Sequence, residues 1–365
     1  MTKVICFDLE GPLSPQDNAY EVMGLIKDGR NIFEVLSRYD DILTLEKKEG
    51  YEPGDTLSLI VPFLIQHGIT TDDIKKVSSS ARIVDGVKET MEELKKTGWD
   101  PHIISTSYEP HALSIAAKIG IPRHKVYCTK LPLEKMRKEA DNTGTALVEE
   151  AEKDILKDLY PALSNSDDKK IKTRLDRFFW EDLPKTSLGK NMKEVKVVGG
   201  QRKMDAASEI AKKADRGIDE VIAVGDSITD YKMLGTVRDA GGVAVAFNGN
   251  QYSLPYANVG LASTDMRMLL VIIEGYECGQ KKGALSVVKE WEDHREEFLK
   301  NPRGIDEDLA PEIVRRLLAD KQSDKGFMQP YYHVLEGLDE KKMEEVRAIH
   351  KKARSLVRGE AAKLG

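Results

Sequence analysis

The chain has 365 residues, of which 32% are charged and 40% hydrophobic, and its formal net charge is −6. This length predicts two or three domains, or one domain with large insertions, and the mild acidity argues against a protein that binds nucleic-acid phosphates. Three widely spaced cysteines indicate no disulfide framework, and no apolar run is long enough to span a bilayer, so we expect a cytoplasmic protein with no membrane partner.

The first predicted element is a short buried strand over residues 3–7, which ends at Asp8. Glu10 follows two residues later, before Gly11 and Pro12. Open α/β sheets keep their ligand sites at the carboxyl ends of strands, so both acids can face one cavity. One carboxylate can then attack as a nucleophile while the other moves protons. Taken alone, the segment is equally typical of a strand that ends in a surface turn.

Residues from about 16 to 80 are mostly helical in pattern. Helices and strands then alternate with short joints, which predicts a parallel α/β sheet. The predicted elements are a helix over 88–96, a strand over 102–104, a helix over 110–119 and a strand over 125–128. Residues from about 131 to 193 are charged and helical, and we interpret them as an insertion.

The alternation resumes after the insertion. The predicted elements are a strand over 195–198, a helix over 204–213, a strand over 220–224, a helix from about 229, a strand over 243–247 and a further strand near 257–259. From residue 265 the pattern is helical to the end, with Tyr331, Tyr332 and His333 as packing for the tail. Residues 340–363 mix charge signs at helical spacing, which is typical of a solvated helix or a frayed tail.

These elements predict an α/β fold with a mostly parallel sheet and helices on both faces. The core domain is predicted over residues 1–14 and 81–262. A helical cap over 15–80, the helical insertion over 131–193 and a C-terminal helical extension over 263–365 surround it.

Polar side chains follow four of the predicted strands at the point where each strand ends. In chain order they are Asp8 with Glu10, Ser105, Lys203, and Asp226 with Asp230. Phosphoryl transfer needs these parts: a nucleophile, a group that holds phosphoryl oxygens, a cation against developing charge, and carboxylates that hold Mg²⁺. Asp8 and Asp226 would repel each other at close range, so a divalent ion between them is the natural resolution.

Four motifs in this order resemble those of the haloacid dehalogenase-like (HAD) superfamily of phosphatases. They are Phe7-Asp8-Leu9-Glu10-Gly11, Ile104-Ser105, Gly-Gly-x-x-Lys203 and Val224-Gly225-Asp226-x-x-x-Asp230. The resemblance covers roughly residues 1–15 and 80–262, and the helical run between the first two motifs looks like the cap of the phosphoserine-phosphatase branch. The whole chain is also similar to archaeal HAD-like proteins that share Phe-Asp-Leu-Glu-Gly-Pro-Leu and have no established substrate.

The resemblance implies that Asp8 is a nucleophile that becomes an aspartyl-phosphate and that Glu10 is the general acid and base. It implies that Ser105 holds a phosphoryl oxygen and that Lys203 neutralises the phosphoaspartate. The implied Mg²⁺ site consists of Asp8, the backbone carbonyl of Glu10 and Asp226, with Asp230 orienting waters or Lys203. The implied activity is hydrolysis of a small phosphorylated metabolite.

Three departures from the family's pattern bear on this expectation. Glu10 stands where most members have Asp, and its extra methylene moves the carboxyl by about an ångström, although the enolase-phosphatase branch also carries Asp-x-Glu-Gly. Pro12, where Thr or Val is usual, stiffens the loop. Thr229 and Asp17 replace the Asn and Glu of phosphoserine phosphatases, so the substrate of those enzymes is not carried over.

Other functions fit parts of the sequence. The block from Gly225 to Ile228 resembles the Gly-Asp-Ser-Leu block of serine esterases, but it lies mid-chain and lacks their downstream Asp-x-x-His. Residues 185–190 superficially resemble a P-loop, but the glycine spacing and the preceding strand of that motif are missing. A HAD fold kept as a non-catalytic binding or assembly module stays open, although burying so many charges without function is unfavourable. The C-terminal helices offer a surface for a protein partner or a second copy of the chain.

Overall fold

The computed structural model describes residues 3–363, and a seven-stranded sheet lies at its centre. The strands are β1 (Lys3–Phe7), β2 (Trp99–Tyr108), β3 (Val126–Thr129), β4 (Val221–Gly225), β5 (Val243–Phe247), β6 (Val259–Ala262) and β7 (Tyr331–Val334). Their order across the sheet is β3-β2-β1-β4-β5-β6-β7. All neighbours are parallel except β6 and β7. The predicted mostly parallel α/β sheet is therefore confirmed.

The described residues form seventeen α-helices. They are α1 (Asn18–Met23), α2 (Gly29–Leu45), α3 (Thr56–Leu59), α4 (Val61–Gln66), α5 (Thr71–Ser79), α6 (Val87–Lys96), α7 (Glu109–Lys118), α8 (Leu133–Lys138), α9 (Asn142–Asp154), α10 (Tyr160–Ser164), α11 (Asp168–Asp176), α12 (Ser187–Glu194), α13 (Gln201–Lys213), α14 (Tyr231–Ala240), α15 (Leu269–Lys300), α16 (Glu312–Asp320) and α17 (Glu340–Arg358). Helix α15 is kinked at Gly279 and Gln280, whose backbone angles are not helical. Among residues 3–363, no helix combines the length and apolar character of a membrane-spanning segment.

The central strands are buried on both faces, which is why they read as continuous apolar runs. In β1, Ile5 and Phe7 belong to the apolar cluster that includes residues of α6, α7 and α15. Val4 and Cys6 point to the opposite face, in a cluster with residues of α13, α14 and α17. Because alternate side chains are fixed on opposite faces, the register of β1 and the direction in which it ends are well determined.

Two helical regions that the sequence separates share one hydrophobic cluster. Helices α1–α5 and α8–α12 pack together there, and we call this body the cap layer. Phe63 of α4 lies 6.2 Å from Phe178, measured between ring centroids. The hydroxyl of Tyr39 donates a hydrogen bond of 2.5 Å to Asp176, the last residue of α11. The insertion therefore widens the body that covers the strand ends.

Two predicted elements are wrong. Residues 195–198 form no strand: they run beside β3, and the Val198 N–H donates to the Thr129 hydroxyl at 3.0 Å. This N–H therefore bonds to a side chain and not to a backbone carbonyl of β3, as it would in a sheet. The chain after residue 265 is also not helical throughout, because residues 331–334 form β7 and pair antiparallel with β6. The Tyr332 hydroxyl fixes this edge strand by donating to the Met268 carbonyl at 2.8 Å.

Candidate active site

The ends of two neighbouring strands bring the acidic residues together. Phe7 of β1 pairs with Val224 of β4, so Asp8 and Asp226 leave the sheet nearly side by side. One oxygen of each of Asp8, Asp226 and Asp230 lies within 4.8 Å of the others, and all three side chains are buried. The fold therefore concentrates three carboxylates at one point, as the sequence predicts.

Gly11 allows the loop after β1 to approach Asp226 closely. Its φ of +112° lies in a region that L side chains rarely adopt, and a Cβ at this position would overlap the Asp226 carboxylate. The loop therefore requires glycine for both conformation and space.

Lys203 joins two of the carboxylates. It lies in the first turn of α13 and is completely buried, with its Nζ 2.7 Å from an oxygen of Asp8 and 2.7 Å from an oxygen of Asp230. The other oxygen of Asp230 accepts the backbone N–H groups of Asp226 and Ser227 at 3.0 and 3.1 Å. Of the two tasks expected of Asp230, its contacts match the orientation of Lys203.

Glu10 is held by two hydrogen bonds beside the same cavity. Its Oε1 accepts from the Ser107 hydroxyl at 2.6 Å and from the Asn18 backbone N–H at 2.8 Å. Burial, together with the charge of Asp17, raises the pKa of Glu10 to about 7. A carboxyl group with a pKa near neutrality can both donate and accept a proton at physiological pH.

The charge state of Asp8 depends on the cations around it. Burial and the neighbouring Asp230 raise the pKa of Asp8, and Lys203 opposes this shift. The pKa of Lys203 is raised as well, because the two carboxylates outweigh its own burial. A carboxylate attacks only in its ionised form, so positive charge close to Asp8 is a requirement of the predicted chemistry.

The end of β2 contributes three successive polar side chains. Ser105, the predicted phosphoryl-holding residue, is buried, and its hydroxyl accepts the Ser107 N–H at 3.0 Å. Thr106 lines the cavity next to Asp8. Ser107 holds Glu10, a contact that sequence reasoning missed although the Ser-Thr-Ser cluster pointed to this strand end. The role assigned to Ser105 stays a prediction.

A cavity of about 70 Å³ lies between the strand ends and the cap layer. Its lining includes Asp8, Glu10, Thr106 and Thr229 from the strand ends, Asp17, Phe33, Ser37, Asp40 and Leu57 from the cap layer, and Arg358. This volume admits a few water molecules or one small anion. A wider cleft of about 780 Å³ lies over β3 and α13, outside the carboxylate cluster. The candidate catalytic residues Asp8 and Glu10 therefore line the small cavity that the cap layer covers.

The carboxylate cluster fits a hard divalent cation. Oδ1 of Asp226 is buried and has no hydrogen-bond partner among the described residues. Carboxylate and carbonyl oxygens are the ligands that Mg²⁺ prefers in proteins. Asp8, Asp226 and the Glu10 carbonyl are the groups that would hold such an ion.

Two arginines from the C-terminal helix reach the same carboxylate. Arg354 and Arg358 lie one turn apart on α17, and both form ion pairs with Oδ2 of Asp226, that of Arg358 at 3.0 Å. Only 3% of Arg354 and 7% of Arg358 is exposed. The site thus holds two buried guanidinium groups that the sequence analysis did not assign to it.

A signal for these arginines was present in the spacing of α17. The buried residues of this helix form one stripe: Met343, Val346, His350, Ala353, Arg354 and Arg358. The alternation of charge signs on the other faces suggested a solvated helix. The stripe instead packs on the sheet and carries the two arginines into the site at its C-terminal end.

No family model matches the chain, and no curated protein matches it. The structure of the gene product AF1437 from Archaeoglobus fulgidus is similar to it, with a TM-score of 0.77 and 27% identity over 100% of this chain and 99% of that one. Two phosphoserine phosphatase structures, one a phospho-aspartyl intermediate analogue and one the apo form, have TM-scores of 0.47 at 16% and 15% identity. They cover 74% of this chain and 97% and 98% of their own. Likenesses this distant carry no argument about activity.

Proposed function

Because the chain has the fold of the HAD-like superfamily and four motifs that resemble those of its phosphatases, we propose that it hydrolyses phosphomonoesters through a covalent phosphate on Asp8. One observation carries the proposal. A buried carboxylate at the end of β1 is in contact with the Lys203 ammonium at 2.7 Å, and a proton-exchanging acid, Glu10, lines the same cavity. Nucleophile, cation and acid are the groups that phosphoryl transfer requires.

In the first step, an oxygen of Asp8 attacks phosphorus. The new bond joins Asp8 to the phosphoryl group, and the bond from phosphorus to the ester oxygen breaks. Glu10 in its protonated form gives its proton to the departing oxygen, which leaves as an alcohol. Lys203 stabilises the charge that accumulates beside Asp8.

In the second step, water attacks the phosphoaspartate. Glu10, now ionised, takes a proton from this water, inorganic phosphate forms, and Asp8 is released as a carboxylate. The raised pKa of Glu10, about 7, suits both directions of transfer. Its hydrogen bond from Ser107 keeps the carboxylate beside the cavity between the two steps.

Mg²⁺ is the cofactor we propose, because the donor set is made of hard oxygens and Asp226 keeps one of them without a partner. When bound, such an ion supplies positive charge against the phosphoryl oxygens. Asp8, Asp226 and the backbone carbonyl of Glu10 would hold it, and Asp230 would support it through Lys203.

A small phosphorylated metabolite is the substrate class that we propose. The cap layer encloses the cavity, so a bulky phosphoprotein or nucleic acid could not reach Asp8 without large rearrangement. Enclosure also excludes water during transfer. The cavity walls contributed by the cap layer include Asp17, Asp40 and Phe33, which are candidates for contact with the leaving group.

The test is a Mg²⁺-dependent screen of the purified protein against a panel of phosphorylated metabolites, with p-nitrophenyl phosphate as a general substrate. Asp8→Asn keeps the shape of the side chain but removes the attacking charge, so it should abolish every activity found. Asp205→Asn, an exposed position on α13, is the matched control. Wild-type turnover by Asp8→Asn would show that the hydrolysis has another cause.

A non-catalytic binding module is the second candidate, and the arginine pair favours it. Two guanidinium groups on Asp226 give this carboxylate a permanent partner in the described conformation. Under this alternative no phosphomonoester in the panel would be turned over, whatever the Mg²⁺ concentration.

A further inference from the structure

The C-terminal arginines lie where a cation bound to Asp226 would act. Arg354 and Arg358 both contact Oδ2 of Asp226, and Arg354 also donates to the backbone carbonyl of Asp226 at 3.2 Å. Arg358 lines the cavity together with Asp8 and Glu10. Its buried Nε has no hydrogen-bond partner among the described residues. The Arg358 guanidinium is therefore bound through its ion pair with Asp226, and part of its hydrogen-bonding capacity is unused.

Among the groups in direct contact with one another the charges balance when both arginines are present, while Glu10 and Asp17, whose charges also act on Arg358, line the same cavity. Asp8, Asp226 and Asp230 contribute −3 and Lys203 contributes +1, which leaves −2. Arg354 and Arg358 contribute +2, the charge of one divalent ion. A divalent ion bound to Asp226 beside both guanidinium groups would be repelled by two like charges at close range, which is unfavourable in a buried site of low dielectric.

The two halves of helix α17 are held in different ways. Its first half is anchored in the core: Met343 and Val346 belong to a hydrophobic cluster of the sheet, and His350 accepts the Gly249 N–H at 3.0 Å. From Arg354 onward the contacts include the ion pairs with Asp226 and a hydrogen bond to the Ala362 carbonyl, beside apolar packing of Val357. The last turn therefore contacts the site through charged groups, whereas the first half is held by apolar packing and His350.

The residues after Arg358 tie the core to the cap layer. Ala361 belongs to the hydrophobic cluster of the cap layer. Lys363 forms an ion pair of 2.8 Å with Glu34 of α2, and Arg354 donates to the Ala362 carbonyl at 3.2 Å. We call residues 354–363 the tail strap. The strap therefore contacts both the core and the cap layer.

From this geometry we infer that the arginine pair on Oδ2 of Asp226 and a divalent cation on its unpartnered Oδ1 oppose each other through their like charges, so that the tail strap hinders cation binding until it withdraws. The inference rests on the proposed function, since it concerns the cation that this function uses. Under this inference, the described conformation is one in which the protein's own arginines hinder cation binding at Asp226. Cation binding and strap release are then coupled, and each favours the other.

The test is the affinity of the protein for Mg²⁺, measured by calorimetry without substrate. Arg358→Gln removes one positive charge from Asp226, so we expect Mg²⁺ to bind at least about tenfold more tightly than to wild type. Arg347→Gln is the matched control, because Arg347 lies on the same helix and pairs with Glu340 and Glu344 away from the site. This control should bind Mg²⁺ as wild type does.

An arginine that merely orients Asp226 for the metal would give the opposite sign. Folded Arg358→Gln protein with unchanged, weaker or undetectable Mg²⁺ binding would therefore overturn the inference. Near-ultraviolet circular dichroism shows whether the variant is folded. Neither readout involves turnover, so an inactive protein can meet this test and an active one can fail it.

Hydrogen exchange of the wild-type protein decides the question if Arg358→Gln does not fold. Saturating Mg²⁺ should accelerate amide exchange in the tail strap, residues 354–363, and leave the anchored half of α17, residues 343–350, unchanged. The same experiment with Asp226→Asn, which lacks the charge for either partner, should show no Mg²⁺ effect. Strap exchange that is unchanged or slowed by saturating Mg²⁺ in wild type would overturn the inference.

Discussion

Three buried cations, from two distant parts of the chain, neutralise the carboxylates of the site. On one side Lys203, a single cation on α13, serves two carboxylates, Asp8 and Asp230. On the other side two cations on α17, Arg354 and Arg358, serve one oxygen of Asp226. Lys203 is therefore the one cation in contact with Asp8 and Asp230 among the described residues, whereas Asp226 has two cationic partners. We therefore expect the loss of Lys203 to destabilise the protein more than the loss of one arginine.

The largest effect on folding is expected at the lysine side. Lys203→Met leaves Asp8 and Asp230 buried without their cation, and removing one partner of a buried ion pair costs about 3–5 kcal/mol. We expect a loss of this size in the free energy of unfolding, measured by urea denaturation. Lys213→Met, at the exposed end of the same helix, should have no measurable effect. Equal stability of the two variants would break the comparison.

Asp40 shows what happens to a buried carboxyl that is held by neutral donors. It accepts from the Tyr51 hydroxyl at 2.6 Å and from the Gly54 N–H at 3.3 Å, and burial raises its pKa from 3.8 to about 7. A raised pKa means that the folded state keeps the proton longer than the unfolded state. The stability that this provides is complete below the unfolded pKa and is lost as the pH rises through about 7.

We therefore expect wild type to lose up to about 4 kcal/mol between pH values near 4 and 7 that Asp40→Asn does not lose. The measurement is the free energy of unfolding of both proteins across this range. Parallel pH profiles would mean that Asp40 titrates normally and that burial does not control its charge.

A smaller loss is expected at the arginine side. In Arg354→Met, Arg358 still pairs with Asp226, so this carboxylate keeps a cation, and the loss of the hydrogen bonds that Arg354 donates is expected to cost about 1–3 kcal/mol. Urea denaturation at pH 7, run beside Lys203→Met, gives the comparison directly. A loss as large as that of Lys203→Met would show that the two arginines are not interchangeable counter-charges.

The smallest effect is expected at the end of the tail strap. Lys363 pairs with Glu34 at 2.8 Å, but about half of its side chain is exposed, and exposed pairs contribute less than about 1 kcal/mol. Lys363→Gln should therefore shift the urea midpoint by little or nothing. A shift comparable to that of Arg354→Met would assign most of the strap's attachment to this one ion pair.

The lysine side could be predicted from the sequence and the arginine side could not. Asp8 and Asp226 directly follow the apolar strands β1 and β4, whose ends the parallel sheet brings to one edge, and Lys203 follows the short run 195–198 and Gly199-Gly200. Arg354 and Arg358 follow no strand, and the buried stripe of α17 indicates which face of the helix is covered but not which surface covers it. Their place depends on how α17 packs on the sheet more than a hundred residues after Asp226, and a helix with mixed charges fits solvent equally well.

The same limit explains the errors in the fold. Local pattern predicts strands such as β5, whose five residues are all apolar and buried. It fails at residues 195–198, where an apolar run lies beside β3 but bonds to the Thr129 side chain, and at β7, whose partner strand lies some seventy residues earlier. In each failure a distant contact decides the structure, and single-sequence periodicity carries no information about that contact.

The central claim is that Asp8 carries the phosphoryl group, and trapping this intermediate tests it most directly. Glu10→Gln should still be phosphorylated by p-nitrophenyl phosphate, an ester with a good leaving group, but it cannot deprotonate the attacking water, so the covalent form should accumulate. Mass spectrometry after an acid quench should then find one phosphoryl group on the peptide that contains Asp8, and none in the double variant Asp8→Asn, Glu10→Gln. A phosphoryl group on another residue, or none on protein that still hydrolyses the ester, would contradict the account.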